Sequence, residues 1–135
     1  MPLKQLGPFF DYYINAYSPS ALASTGAVME VPVPFRGRVM EVGVCPVANS
    51  CTSALTLQVV IGDNTSAIAS SFSATPIVTS GTGTFSSVNL VEGAVCSVLL
   101  GGSQFVNRGD VLQFTTSGGQ SAAMGAQVYA IIRKQ

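Results

Sequence analysis

Ala54-Leu55-Thr56-Leu57-Gln58-Val59-Val60-Ile61 is the stretch that decides the fold class. Leu55, Leu57, Val59 and Ile61 alternate with Thr56 and Gln58. A β-strand sends successive side chains to opposite faces, so this period of two describes a strand with one face in a core. Gly62-Asp63-Asn64 follows at once and reads as a turn.

The same grammar extends in both directions. Val28–Val33 reads as a strand whose Pro32, followed by Pro34, places it at an edge. Arg36–Cys45 is a second strand, with Gly37 and Gly43 as bulge or close-packing points. Beyond the turn, Ser66–Phe72 is a weaker strand, and Ala74–Gly83 is a loop containing Pro76. Thr84–Leu90 and Val95–Leu100 are further strands, the second ended by Gly101-Gly102. Val111–Thr116 alternates again, and Ala123–Arg133 closes the chain with apolar residues on both faces. A strand apolar on both sides is expected to be buried on both sides. About eight short strands separated by turn residues define an all-β sandwich or barrel.

Residues 1–27 differ from the rest and read as an N-terminal arm, with residues 28–135 as the β domain. Five of the eleven aromatics, Phe9, Phe10, Tyr12, Tyr13 and Tyr17, fall within nine residues of this segment. Phe9, Tyr13 and Tyr17 are spaced for one helix face behind Pro8, and an extended arm fits equally well. Two roles fit the aromatics. They complete the core of their own domain, or they anchor the chain to a neighbour, since Tyr and Phe bring large contact area to interfaces.

Composition narrows the function. Charged residues make up 9% of the 135-residue chain, and six cations balance six anions. An average domain carries about 25% charged residues. Zero net charge without a Lys/Arg cluster argues against a nucleic-acid binder, which needs cations to displace phosphate counterions. The chain has no His, so Ser-His-Asp and Cys-His catalysis and imidazole metal ligation are excluded. The carboxylates Glu30, Glu41, Asp63, Glu92 and Asp110 sit in turns or at polar strand positions, without a marked pair or a calcium-loop cluster. No enzyme, cofactor or metal is expected. The three cysteines, Cys45, Cys51 and Cys96, are an odd set for a disulfide framework and read as small core or loop residues. Cys45 and Cys51 are close enough in sequence for a bridge in an oxidising setting.

No run approaches 18 apolar residues, and Pro8, Asp11 and Asn15 interrupt any signal-peptide core before Ala21-Leu22-Ala23. No membrane association is expected, and synthesis in the cytoplasm is. Arg108-Gly109-Asp110 spells an adhesion tripeptide, but Asn107–Asp110 reads first as the tight turn entering the next strand. Twenty-six Ser and Thr residues supply much of the polar surface that charges do not.

From Pro34 to Arg133 the chain resembles the small jelly-roll decoration, or cement, proteins of tailed-bacteriophage capsids. The resemblance rests on four features: the Pro34-Phe35-Arg36-Gly37-Arg38-Val39 strand, the alternating strand ending at Ile61-Gly62, Val106-Asn107-Arg108-Gly109-Asp110-Val111-Leu112, and the terminal Gln127-Val128-Tyr129-Ala130-Ile131-Ile132-Arg133. It implies a jelly-roll-like antiparallel β-sandwich of two sheets. It further implies a homodimer or homotrimer on the capsid exterior of a virion made in a bacterial host, bridging subunits of the major capsid protein. A receptor- or glycan-binding jelly roll of a phage fibre or tail is the competing expectation. The aromatic segment lies outside the resemblance, and its residues are the candidate anchors. Deleting residues 1–20 is expected to leave a folded β protein that no longer binds capsids.

Overall fold

The computed structural model describes residues 11–19, 27–47, 53–62, 74–76, 82–85, 90–118 and 125–135. Nine strands run through them: β1 (Asp11–Ser18), β2 (Ala27–Pro32), β3 (Gly37–Pro46), β4 (Leu55–Gly62), β5 (Ala74–Pro76), β6 (Thr82–Phe85), β7 (Cys96–Val106), β8 (Val111–Gly118) and β9 (Ala126–Lys134). One sheet has the order β1-β9-β3-β7. The other has the order β2-β8-β4-β5, with β6 also on β4. All described pairings are antiparallel.

From β1 to β4 and from β6 to β9 the chain changes sheet at every connection. That alternation, with these strand orders, is a jelly roll, two Greek keys wound into facing sheets. β5 and β6 lie end to end along β4, at Val60–Gly62 and Leu55–Gln58, so they take the place of one strand.

Alternation explains the core. β4 turns Leu55, Leu57 and Val59 inward, and β8 turns Leu112, Phe114 and Thr116 inward. From the facing sheet come Val39, Val42 and Val44 of β3, with Ala126, Val128, Ala130 and Ile132 of β9. Each of these eight apolar side chains of β4, β8 and β3, Leu55 to Phe114, is an aliphatic or aromatic group removed from water, and fully burying one contributes about 1.5–3 kcal/mol.

Several expectations are corrected. Asp11–Ser18 is neither helix nor detached arm. It pairs with β9 at every position from Asp11↔Arg133 to Ser18↔Ala126. The boundary at residue 27 therefore separates two strands of one sandwich. Deleting residues 1–20 would remove an integral strand. The bulge in β3 falls at Met40, where the register against both neighbours shifts between Val39 and Glu41, while Gly37 and Gly43 are close-packing points, against Ile132 and Tyr129 of β9. β7 continues through Gly101-Gly102 to Val106. Part of the presumed loop 74–83 pairs with β4, Pro76 lying at the sheet edge where a missing amide is tolerated. The Ser66–Phe72 strand lies outside the described residues.

Candidate functional site

The registers lay out the outer face of the four-stranded sheet in rows. Asp11, Arg133, Arg38 and Phe105 form the first. Tyr13, Ile131, Glu41 and Leu99 form the second. Asn15, Tyr129, Gly43 and Ser97 form the third, and Tyr17, Gln127 and Cys45 the fourth.

Much of this face is apolar and open. Tyr13 is 54% exposed, Tyr17 57%, Leu99 76% and Phe105 45%. The outer face of the other sheet differs. Among the described residues it presents Glu30 bonded by Gln113, Thr56 against Thr84, and Gln58, with Val28 exposed, Val60 half-buried and no aromatic side chain. One side of the sandwich is thus aromatic and the other polar.

The aromatic face is built on glycines. Tyr129 reaches across Gly43, where an added Cβ would stand 2.6 Å from both its Cε1 and its Oη. Tyr13 stacks on Tyr129 with ring centroids 5.1 Å apart and planes 20° apart. Tyr129 is consequently only 4% exposed although it points out of the sheet. Its Oη donates to Glu41 Oε2 at 2.7 Å. Burial first, and then this bond to a carboxylate, push the Tyr129 hydroxyl above its ordinary value, so it stays a donor. The phenol end of Tyr17 lies over Gly125 in the same way, 2.6 Å from an added Cβ.

Polar side chains fix the margins. Arg133 donates from Nε to Asp11 Oδ1 at 2.8 Å and from Nη2 to Oδ2 at 3.1 Å. That bond holds the Asp11 carboxyl below its ordinary value. Gln127 Nε2 donates to Asn15 Oδ1 at 2.9 Å. The Arg38 guanidinium sits 4.5 Å from the Phe105 ring centroid, a cation–π contact.

The candidate anchors therefore divide. Tyr13 and Tyr17 share the outer face. Tyr12 points the other way, half-buried, and packs on Phe35 at 4.5 Å between centroids. Phe9 and Phe10 lie outside the described residues. Sequence reasoning missed Leu99, Phe105 and Glu41 as members of this face. Glu41 carried a signal, a carboxylate inside the otherwise apolar run Val39–Val44. Burial of β9 on its outer side, expected from its composition, is local: Tyr13 covers Tyr129, and Ile131 is half-buried.

The remaining motifs serve the fold. The Asn107 amide donates to Asp110 Oδ2 at 2.8 Å, and Gly109 adopts φ of 91°. Val33 and Asp110 are joined by a backbone bond of 2.8 Å, which ties this crossing turn to the one after β2. The Arg-Gly-Asp run is thus a structural turn. Of the other carboxylates, Glu30 accepts from Gln113, and Asp63 lies outside the described residues. Cys45 is half-buried and carries no disulfide, Cys96 is buried, and Cys51 lies outside the described residues.

No family model matches the chain, and no curated protein does. Among solved structures, a chain of Desmodium yellow mottle tymovirus superposes with a TM-score of 0.41 and 13% sequence identity, over 94% of this chain and 87% of that one. The strand order and register make this chain an all-β jelly-roll sandwich.

Proposed function

We propose that this chain is a structural virion protein, a decoration subunit that binds the outside of a tailed-phage head and bridges neighbouring major capsid subunits. The observation that carries the proposal is the contrast between the two outer faces, one aromatic and one polar. Clustered exposed apolar side chains mark interaction surfaces, and Tyr is enriched among residues that dominate interface energies. Docking by this face removes Tyr13, Tyr17, Leu99 and Phe105 from water at a joint between capsid subunits. Opening the joint then also breaks those contacts, which stabilises the shell by mass action. The sequence resemblance to cement proteins supports the same reading.

A second reading has one observation in its favour. Tyr13 and Tyr17 present open ring surface beside the amides of Asn15 and Gln127. Sugars stack on aromatic rings and bond to amides, so a glycan-binding module of a fibre or tail uses the same face.

Co-sedimentation with purified heads lacking the protein tests the choice. The unaltered chain is expected to pellet with heads. The Tyr13→Ser/Tyr17→Ser double variant is expected to bind at least about tenfold more weakly, the effect of losing one or two interface hot spots. Equal binding by the variant would remove this face from consideration. Glycan-array signal without head binding, lost in the same variant, would establish the second reading instead.

A further inference from the structure

β1 ends its sheet, and among the described residues the backbone of Tyr13–Tyr17 pairs on one side alone, with β9. An open edge templates pairing with another strand, and proteins blunt such edges with proline, lysine or bulges. The other sheet edges carry such devices. β2 ends in Pro32 and β5 in Pro76, β6 is only four residues long, and the register of β7 breaks opposite Met40. Tyr13-Ile14-Asn15-Ala16-Tyr17 has no proline, no lysine and no register shift.

This edge is also self-complementary. On its outer face the order Tyr13, Asn15, Tyr17 reads the same in both directions, and Ile14 and Ala16 flank Asn15 on the inner face. In an antiparallel pair centred on Asn15, each Tyr13 stands directly opposite Tyr17 of the other copy. Aromatic cross-strand pairs of this kind stabilise a sheet. The two Asn15 amides meet on the two-fold axis. The chain is neutral overall, so no net charge opposes the approach of two copies.

We infer that β1 pairs antiparallel with β1 of a second copy, centred on Asn15, joining the two four-stranded sheets into one. The two-fold axis makes this an isologous contact, which closes at a dimer. Four tyrosines then lie on one continuous outer face. The inference stands on the edge and its register, independently of what that face binds.

Three measurements on the full chain test it. Sedimentation velocity is expected to give twice the 13.9 kDa chain mass. Asn15→Cys under mild oxidation is expected to form a covalent dimer, because opposed Cα atoms in an antiparallel pair lie about 4.5–5.5 Å apart, within disulfide reach. Tyr13→Cys is expected to form none above the unaltered chain. Its counterpart lies four residues along the strand, roughly 13 Å away. Asn15→Lys, which sets two ammonium groups face to face, is expected to sediment as a folded monomer. A monomeric or trimeric unaltered chain overturns the inference, as does Asn15→Cys cross-linking no better than Tyr13→Cys. Should Asn15→Lys fail to fold, the cysteine pair decides.

Discussion

A chain beginning at residue 19 is expected to lose its cooperative unfolding transition, while one beginning at residue 11 keeps it. The first truncation removes β1 and with it all eight register positions against β9. It withdraws Ile14 and Ala16 from the core margin and Tyr12 from Phe35. It also strips the Tyr13 ring from Tyr129, whose outer side then meets water, and leaves Arg133 without Asp11. Burial of an Ile side chain alone contributes about 1.5–3 kcal/mol. A whole domain is stable by only about 5–15 kcal/mol, so the summed loss is comparable with the total. The second truncation leaves every described core residue in place. Thermal melts by circular dichroism separate the cases. A sharp, native-like transition for the chain beginning at residue 19 would show that β1 is dispensable and that a detachable arm describes it better.

Phe114→Ala is expected to be the most damaging single core substitution. Phe114 is completely buried on β8, opposite Val59 of β4 and Met29 of β2. Truncating a buried Phe removes its transfer energy and leaves a cavity between two sheets that relax only partly, at about 3–5 kcal/mol. For a chain of this length the melting temperature falls by roughly 10–20 °C. Gln58→Ala is the control. Gln58 is exposed on β4 of the same sheet, and surface changes of this type stay within about 0.5 kcal/mol. Denaturant titration of both variants checks the pair. A loss below about 1 kcal/mol at Phe114 would mean that the sandwich interior is not packed around it.

The elements legible in the sequence were those whose pattern is local. Leu55, Leu57 and Val59 announced both the strand and its buried face, and the structure buries all three. Asn107–Asp110 announced its turn through residue types that bond to their own backbone. β1 was not legible for a geometric reason. Side chains four apart share a face in a strand, and nearly share one in a helix, so the spacing of Tyr13 and Tyr17 fits both. Its strand partner, β9, lies more than a hundred residues away, and nothing near Asp11 records it. β7 was cut short because Gly101-Gly102 reads as a terminator. The structure absorbs the pair where β7 advances from Leu99 to Gln104 while β3 advances only from Glu41 back to Val39. That misreading hid Phe105, and with it one end of the aromatic face. Two-sided apolarity in the last strand was legible, yet its cause was a single tyrosine covered by its neighbour rather than a second layer.

In the proposed role, the β1-β9-β3-β7 sheet carries the surface by which this protein binds a capsid. An electron cryo-microscopy map of heads bearing the protein tests it most directly. The sandwich is expected to lie with Tyr13, Tyr17 and Leu99 against the shell, across a joint between capsid subunits. A map in which the polar face of the β2-β8-β4-β5 sheet meets the shell, with those side chains in solvent, would contradict it.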